Sequence, residues 1–138
     1  MKKLFIIFSI LIFSAESLLA QSASDAKNFL VENWKSSEPG YHISLTIATC
    51  DRFEFRLNKN GDDHKVHTSF DPRDGFLSAD DNGLRAGLWC TSGECAVRKE
   101  GGKSHVSEFI PSLVSFQRLK SAFEAFQKSC GGPKKSAF

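Results

Sequence analysis

The chain has 138 residues, 25% of them charged, and a formal net charge of +2. That length holds one ordinary domain, and 18 basic against 16 acidic residues leave no field large enough to draw in nucleic acid or an anionic membrane. Of thirteen phenylalanines, ten lie after residue 22, against a single tyrosine, and they point to a packed core and away from a disordered, solvating chain.

Met1-Lys2-Lys3 precedes an apolar run, Leu4 to Phe13, and small or polar residues follow at Ser14, Ala15, Ser17, Ala20 and Ser22. A basic start, a short apolar run and a small-residue boundary make a secretory signal peptide; the run is too short to span a bilayer. Residues 1–22 are assigned to export, with cleavage after Ala20 or Ser22, and residues 23–138 to a single domain. No cysteine follows the apolar run to accept a lipid. Removal of Lys2, Lys3 and Glu16 with the signal lowers the net charge to +1, still balanced.

The expected elements follow in order. Ser22-Ala-Ser-Asp25 suits a capping box, and Ala26, Phe29, Leu30 and Trp34 keep a helical spacing up to the breaker Pro39-Gly40. From Tyr41 the period becomes two. Ile43, Leu45 and Ile47 alternate with polar residues, and past Cys50-Asp51 so do Phe53, Phe55 and Leu57. Asn60-Gly61 signals a hairpin turn. Val66, Thr68 and Phe70 form a third strand, and Phe76-Leu77-Ser78 a brief fourth. After Asp80-Asp81-Asn82-Gly83, a fifth carries Leu84, Ala86, Leu88 and Cys90 on one phase and Arg85, Gly87 and Trp89 on the other. Cys95 to Lys99 returns as a sixth, and Ser104 to Ile110 is a weaker seventh beyond the Gly101-Gly102 turn. Ser112 is placed as N-cap of a last helix whose stripe is Phe116, Leu119, Phe123, Phe126 and Cys130, with Gln127 among its polar residues; Gly131-Gly132-Pro133 stops it. Burying three of those phenylalanines and Leu119 contributes at most about 6–12 kcal/mol.

All four cysteines, Cys50, Cys90, Cys95 and Cys130, lie in the exported part. In an oxidising compartment an even number reads as two disulfides. Three connectivities are possible; Cys90–Cys95 is favoured as a clip across a short hairpin, and Cys50–Cys130 as a tie between the last helix and the first hairpin. A C-x4-C spacing without a second paired motif is poor for zinc.

Helix, about seven short antiparallel strands, then an amphipathic helix is the element order of a pleckstrin-homology-like barrel, in which the last helix plugs one end of a bent sheet. The expected class is therefore α+β. A small lipocalin-like barrel, or a sheet with both helices on one face, satisfies the same order. The landmarks Cys50-Asp51, Leu88-Trp-Cys-Thr-Ser-Gly-Glu-Cys-Ala-Val97 and Phe126-Gln-Lys-Ser-Cys-Gly-Gly132 resemble a family of small exported bacterial proteins whose terminal helix ends in Cys-Gly-Gly. The resemblance covers most of the mature chain, supports the same fold and implies no activity.

Candidate chemistry is sparse. His64-x-x-His67 on a strand would point to opposite faces, and His42 and His105 are isolated. Asn58-x-Asn60-x-Asp62 and Asp80-Asp81-Asn82-Gly83 lack the offsets of a calcium loop and suit Asx turns. No nucleophile elbow is present, Gly101-Gly102 precedes no helix, and Lys134-Lys135 reads as a solvated tail. Neither a catalytic residue nor a cofactor is assigned. Trp89 lies on the polar phase of its strand, so Trp89, Thr91, Ser92, Gly93 and Glu94 form the expected contact patch, unless Phe29 or Trp34 covers the indole. The expected function is a non-enzymatic periplasmic or secreted binding module whose partner is a protein or an envelope component. The alternatives are a carrier with an apolar pocket between helix and sheet, and a hydrolase or an inhibitor of one.

Overall fold

The computed structural model describes residues 15–36, 42–58, 65–83, 85–91, 93–98, 103–104, 106–111 and 114–134. The apolar run at 4–13, Tyr41, the Asn60-Gly61 and Gly101-Gly102 turns, His64, Leu84, Ser92, His105, Ser112 and Lys135 lie outside them. The architecture is α+β, with two helices and two antiparallel sheets.

Helix α1 runs from Ala15 to Asn33. It begins well before the expected cap at Ser22, because Ala, Leu, Ser and Gln in that stretch offer no helix breaker. Ala26 and Leu30 are buried along it, and Trp34 N–H still bonds the Leu30 carbonyl at 2.8 Å. The chain then changes partner. Ser36 N–H donates to the Ile43 carbonyl at 2.8 Å and Leu45 N–H to the Trp34 carbonyl at 3.0 Å, which stitches the helix exit to strand β1 (His42–Ala48).

Strands β1, β2 (Phe53–Asn58), β3 (Lys65–Phe70), β6 (Ala96–Arg98) and β7 (Lys103–Ser104) form one sheet in that order. Strands β4 (Gly75–Ala79), β5 (Arg85–Cys90) and β8 (Val106–Pro111) form the other. A single bent sheet wound as a plain meander would put β4 beside β3. Instead β6 pairs with β3, and β4 leaves for the second sheet. The cause is local: Asp71 caps a 3-10 turn at Pro72–Asp74, its carboxylate accepting from Arg73 N–H at 2.9 Å, and the turn redirects the chain. At the corner Gly75 lies against both sheets. A Cβ there would strike the Phe70 ring and the Trp89 carbonyl oxygen.

The period of two survives with two corrections. A bulge between Leu45 and Ile47 shifts the phase of β1, so Ala48 is buried at the position expected of Ile47. Glu54, expected outward, is 1% exposed, because Arg52, just before the strand, and Arg56 within it fold over it and ion-pair with its carboxylate, Arg56 at 2.8 Å.

Helix α2 (Phe116–Ser129) packs against α1 and across the aromatic face of β2. Its N-cap is Ser115, with no side-chain cap bond. Leu119, Phe123 and Phe126 are buried, and Phe116 and Cys130 flank them at the core edge. Trp34 is at the centre, edge-on to Phe55 at 5.1 Å and to Phe123 at 6.4 Å; Phe53 meets Phe126 at 5.3 Å. Each such pair adds about 0.5–1.5 kcal/mol beyond its buried area. Disulfides join Cys50 to Cys130 and Cys90 to Cys95.

Candidate functional site: an aromatic sheet face and a helix groove

In the β4–β5 pair, Leu77 opposes Leu88 and Ala79 opposes Ala86. Leu77, Leu88 and Ala86 are buried toward the core. Alternation therefore sends Phe76 and Trp89, which oppose each other directly, to the outer face. Phe76 is 49% exposed and Trp89 37%. The α1 aromatics sit elsewhere: Trp34 is in the core, and Phe29 lies under the Arg118 guanidinium at 5.2 Å from its ring centre.

Trp89 leads into the Cys90–Cys95 clip. There Thr91 is tied twice to the Asp74 carbonyl, by its N–H at 2.8 Å and its hydroxyl at 2.7 Å, while Thr91, Gly93 and Glu94 remain exposed. Gly93 turns the loop at φ 60°, a conformation that suits glycine. The expected patch thus gains Phe76, which was not foreseen. Counting four residues outward from the Asp80–Arg85 backbone pair at the turn would have found it.

A polar cluster holds the far end of the same hairpin. Lys134 Nζ reaches Asp71 and Asp74, each at 2.8 Å, and Lys134 N–H donates to the Arg73 carbonyl at 2.8 Å. Lys134 is therefore a latch and not a solvated tail. Burial opposes ionisation of Asp71, but hydrogen bonds from Arg73 and Lys134 outweigh it and hold the carboxyl below its ordinary value. The same bonds, first to Asp71 and then to Asp74, raise Lys134. Gln127, assigned by its spacing to the polar side of α2, is buried instead: its amide donates to the Pro72 carbonyl at 2.6 Å and the Gly75 carbonyl at 2.7 Å. These carbonyls sit at the 3-10 corner, and the amide satisfies both.

The second feature is a groove of about 950 Å³ where α1, the β1–β2 turn and α2 meet. Small residues from three separate segments, among them Ala23, Ser24, Ala48, Ala125 and Ser129, leave the gap, and the exposed edge of Phe126 lies in it. Cys50 lines it as well, so the Cys50–Cys130 bridge fixes the separation of two walls.

Among the described residues all four cysteines are in disulfides, and no group of three or more His, Cys, Asp or Glu is placed to hold a metal. His42 is exposed on β1 and His67 half-buried on β3, while Asp80 makes the expected turn, its carboxylate accepting from Arg85 N–H at 3.2 Å. No helix among the described residues is long and apolar enough to cross a membrane. Two disulfides fit an oxidising environment. Comparison with protein-family models, with curated proteins and with solved structures finds no match.

Proposed function

We propose that the chain is an exported, non-enzymatic binding module of the cell envelope, released by cleavage after Ala20 or Ser22, whose contact surface is the outer face of β4 and β5. The observation that carries this is the Phe76–Trp89 pair. Of the three exposed large hydrophobics among the described residues, two oppose each other on adjacent strands, beside a hairpin fixed by Cys90–Cys95 and by Thr91. Two half-exposed aromatics on a rigid support lose little conformational freedom on contact, which favours them as anchors. For the fold, a pleckstrin-homology-like likeness is supported by the terminal helix laid across an antiparallel sheet, and the β3–β6 pairing is its departure. Cross-linking of the oxidised protein in its native envelope tests the surface. Partners captured by the wild type are lost with Phe76→Ala and Trp89→Ala, both still disulfide-bonded; an unchanged partner set refutes the location.

A second reading, a small-ligand carrier, is favoured by the groove. Its volume falls within the usual range of ligand sites.

A further inference from the structure

The groove between α1, the β1–β2 turn and α2 has an apolar floor and a cationic rim. Ala48 and Phe126 are buried residues that lend it apolar surface, and Ala125 adds an exposed methyl. Lys27 from α1 and Lys128 from α2 both line it and are exposed, and no carboxylate is among the described residues that line it. The Asp51 carboxylate beside this rim accepts from the Thr49 hydroxyl at 2.7 Å, a bond that holds it below its ordinary value. The Ser129 hydroxyl is likewise committed, to the Phe126 carbonyl at 2.6 Å. The charged groups lining the groove are therefore two ammonium groups over hydrocarbon, with the Ser24 hydroxyl beside them.

We propose that this groove takes an amphiphile with one apolar chain and an anionic carboxylate head, the chain over Ala48, Ala125 and Phe126 and the head between Lys27 and Lys128. This rests on the carrier reading and adds the ligand class. A cut after Ala20 keeps every lining residue described, and a cut after Ser22 removes one of them. Three features favour such a guest over a protein segment. The site is a recess between two helices and not a flat face, the charged side chains that line it are both lysines, and the disulfide beside it sets its width before any ligand arrives.

The test uses the purified oxidised chain, its N-terminus read by intact mass, with a fluorescent polyene fatty acid as reporter and dodecanoate and dodecanol as competitors. Dodecanoate is expected to displace the reporter at roughly tenfold lower concentration than dodecanol, the scale of one charge-assisted hydrogen bond. Lys27→Gln with Lys128→Gln brings the two competitors to near-equal potency, and Ala125→Trp weakens both by filling the recess. All substituted positions are exposed, and retention of the wild-type melting temperature shows that the variants fold. Equal potency in the wild type, unmoved by the lysine substitutions, overturns the anionic head but leaves the carrier reading standing. No displacement by either competitor, or displacement unaffected by Ala125→Trp, overturns both.

Discussion

Two pairs of strand aromatics sit in the same molecule with opposite fates. Around β2, Phe53 and Phe55 meet Trp34, Phe123 and Phe126 and vanish from solvent. Across β4 and β5, Phe76 and Trp89 oppose each other and stay half-open. Residue type does not distinguish them. The difference is which face each pair occupies: Phe53 and Phe55 point to the interior that Trp34 and α2 fill, while alternation turns Phe76 and Trp89 to the outer face, opposite the buried Leu77 and Leu88. The first pair supports stability, and the second stays half-exposed.

The contrast breaks or holds under substitution. The largest effect is expected at the disulfides. Loss of Cys50–Cys130 by a double serine substitution costs about 4–5 kcal/mol, because it frees a closure of 80 residues, whereas loss of Cys90–Cys95 costs about 2. Urea unfolding of both variants checks the ranking, and equal costs would contradict the chain-entropy account. Next is Phe53→Ala, at about 3–5 kcal/mol. Trp89→Ala is expected to cost less, about 1–2 kcal/mol, from the cross-strand pair and the partly buried ring; comparable losses in thermal melts would mean the outer pair is structural. Gln127→Leu leaves the Pro72 and Gly75 carbonyls without their donor and costs about 1–3 kcal/mol; a neutral result would show the corner is held by the backbone alone.

The smallest effect is pH-dependent. The folded value of Asp71 is depressed, so its contribution is present above the ordinary carboxylate range and disappears as pH falls through the lower folded value. Lys134 is raised, so its share is present below the ordinary lysine value and disappears as pH rises through the higher folded one. Asp71→Asn should flatten the acid side of the stability profile measured by urea midpoints; an unchanged acid limb would remove the latch from the account.

Helix α2 was legible because its stripe repeats every three and four residues, and burial of a stripe is a local demand. The strands were legible through alternation, as at Ala86 and Leu88. The pairing of β3 with β6 was not, since a period of two states that a strand has two faces and not who its neighbour is. Glu54 and Gln127 were misplaced for a related reason. Periodicity assigns polar residues outward, yet Arg52 and Arg56 roof the first and the Pro72 and Gly75 carbonyls draw in the second. The groove was invisible because its small residues come from three distant segments and mean nothing until they converge.

Gly75 carries a consequence for variation. The space beside its α-carbon is already taken, by the Phe70 ring from one sheet and the Trp89 carbonyl oxygen from the other. A saturation library scored for folding alone should therefore show a column of intolerance there, where even alanine forces the two layers to part, followed by a more permissive column at Phe76. That adjacency, one residue that admits almost nothing beside one that admits much, is the imprint of the corner on what folding alone allows this chain to become.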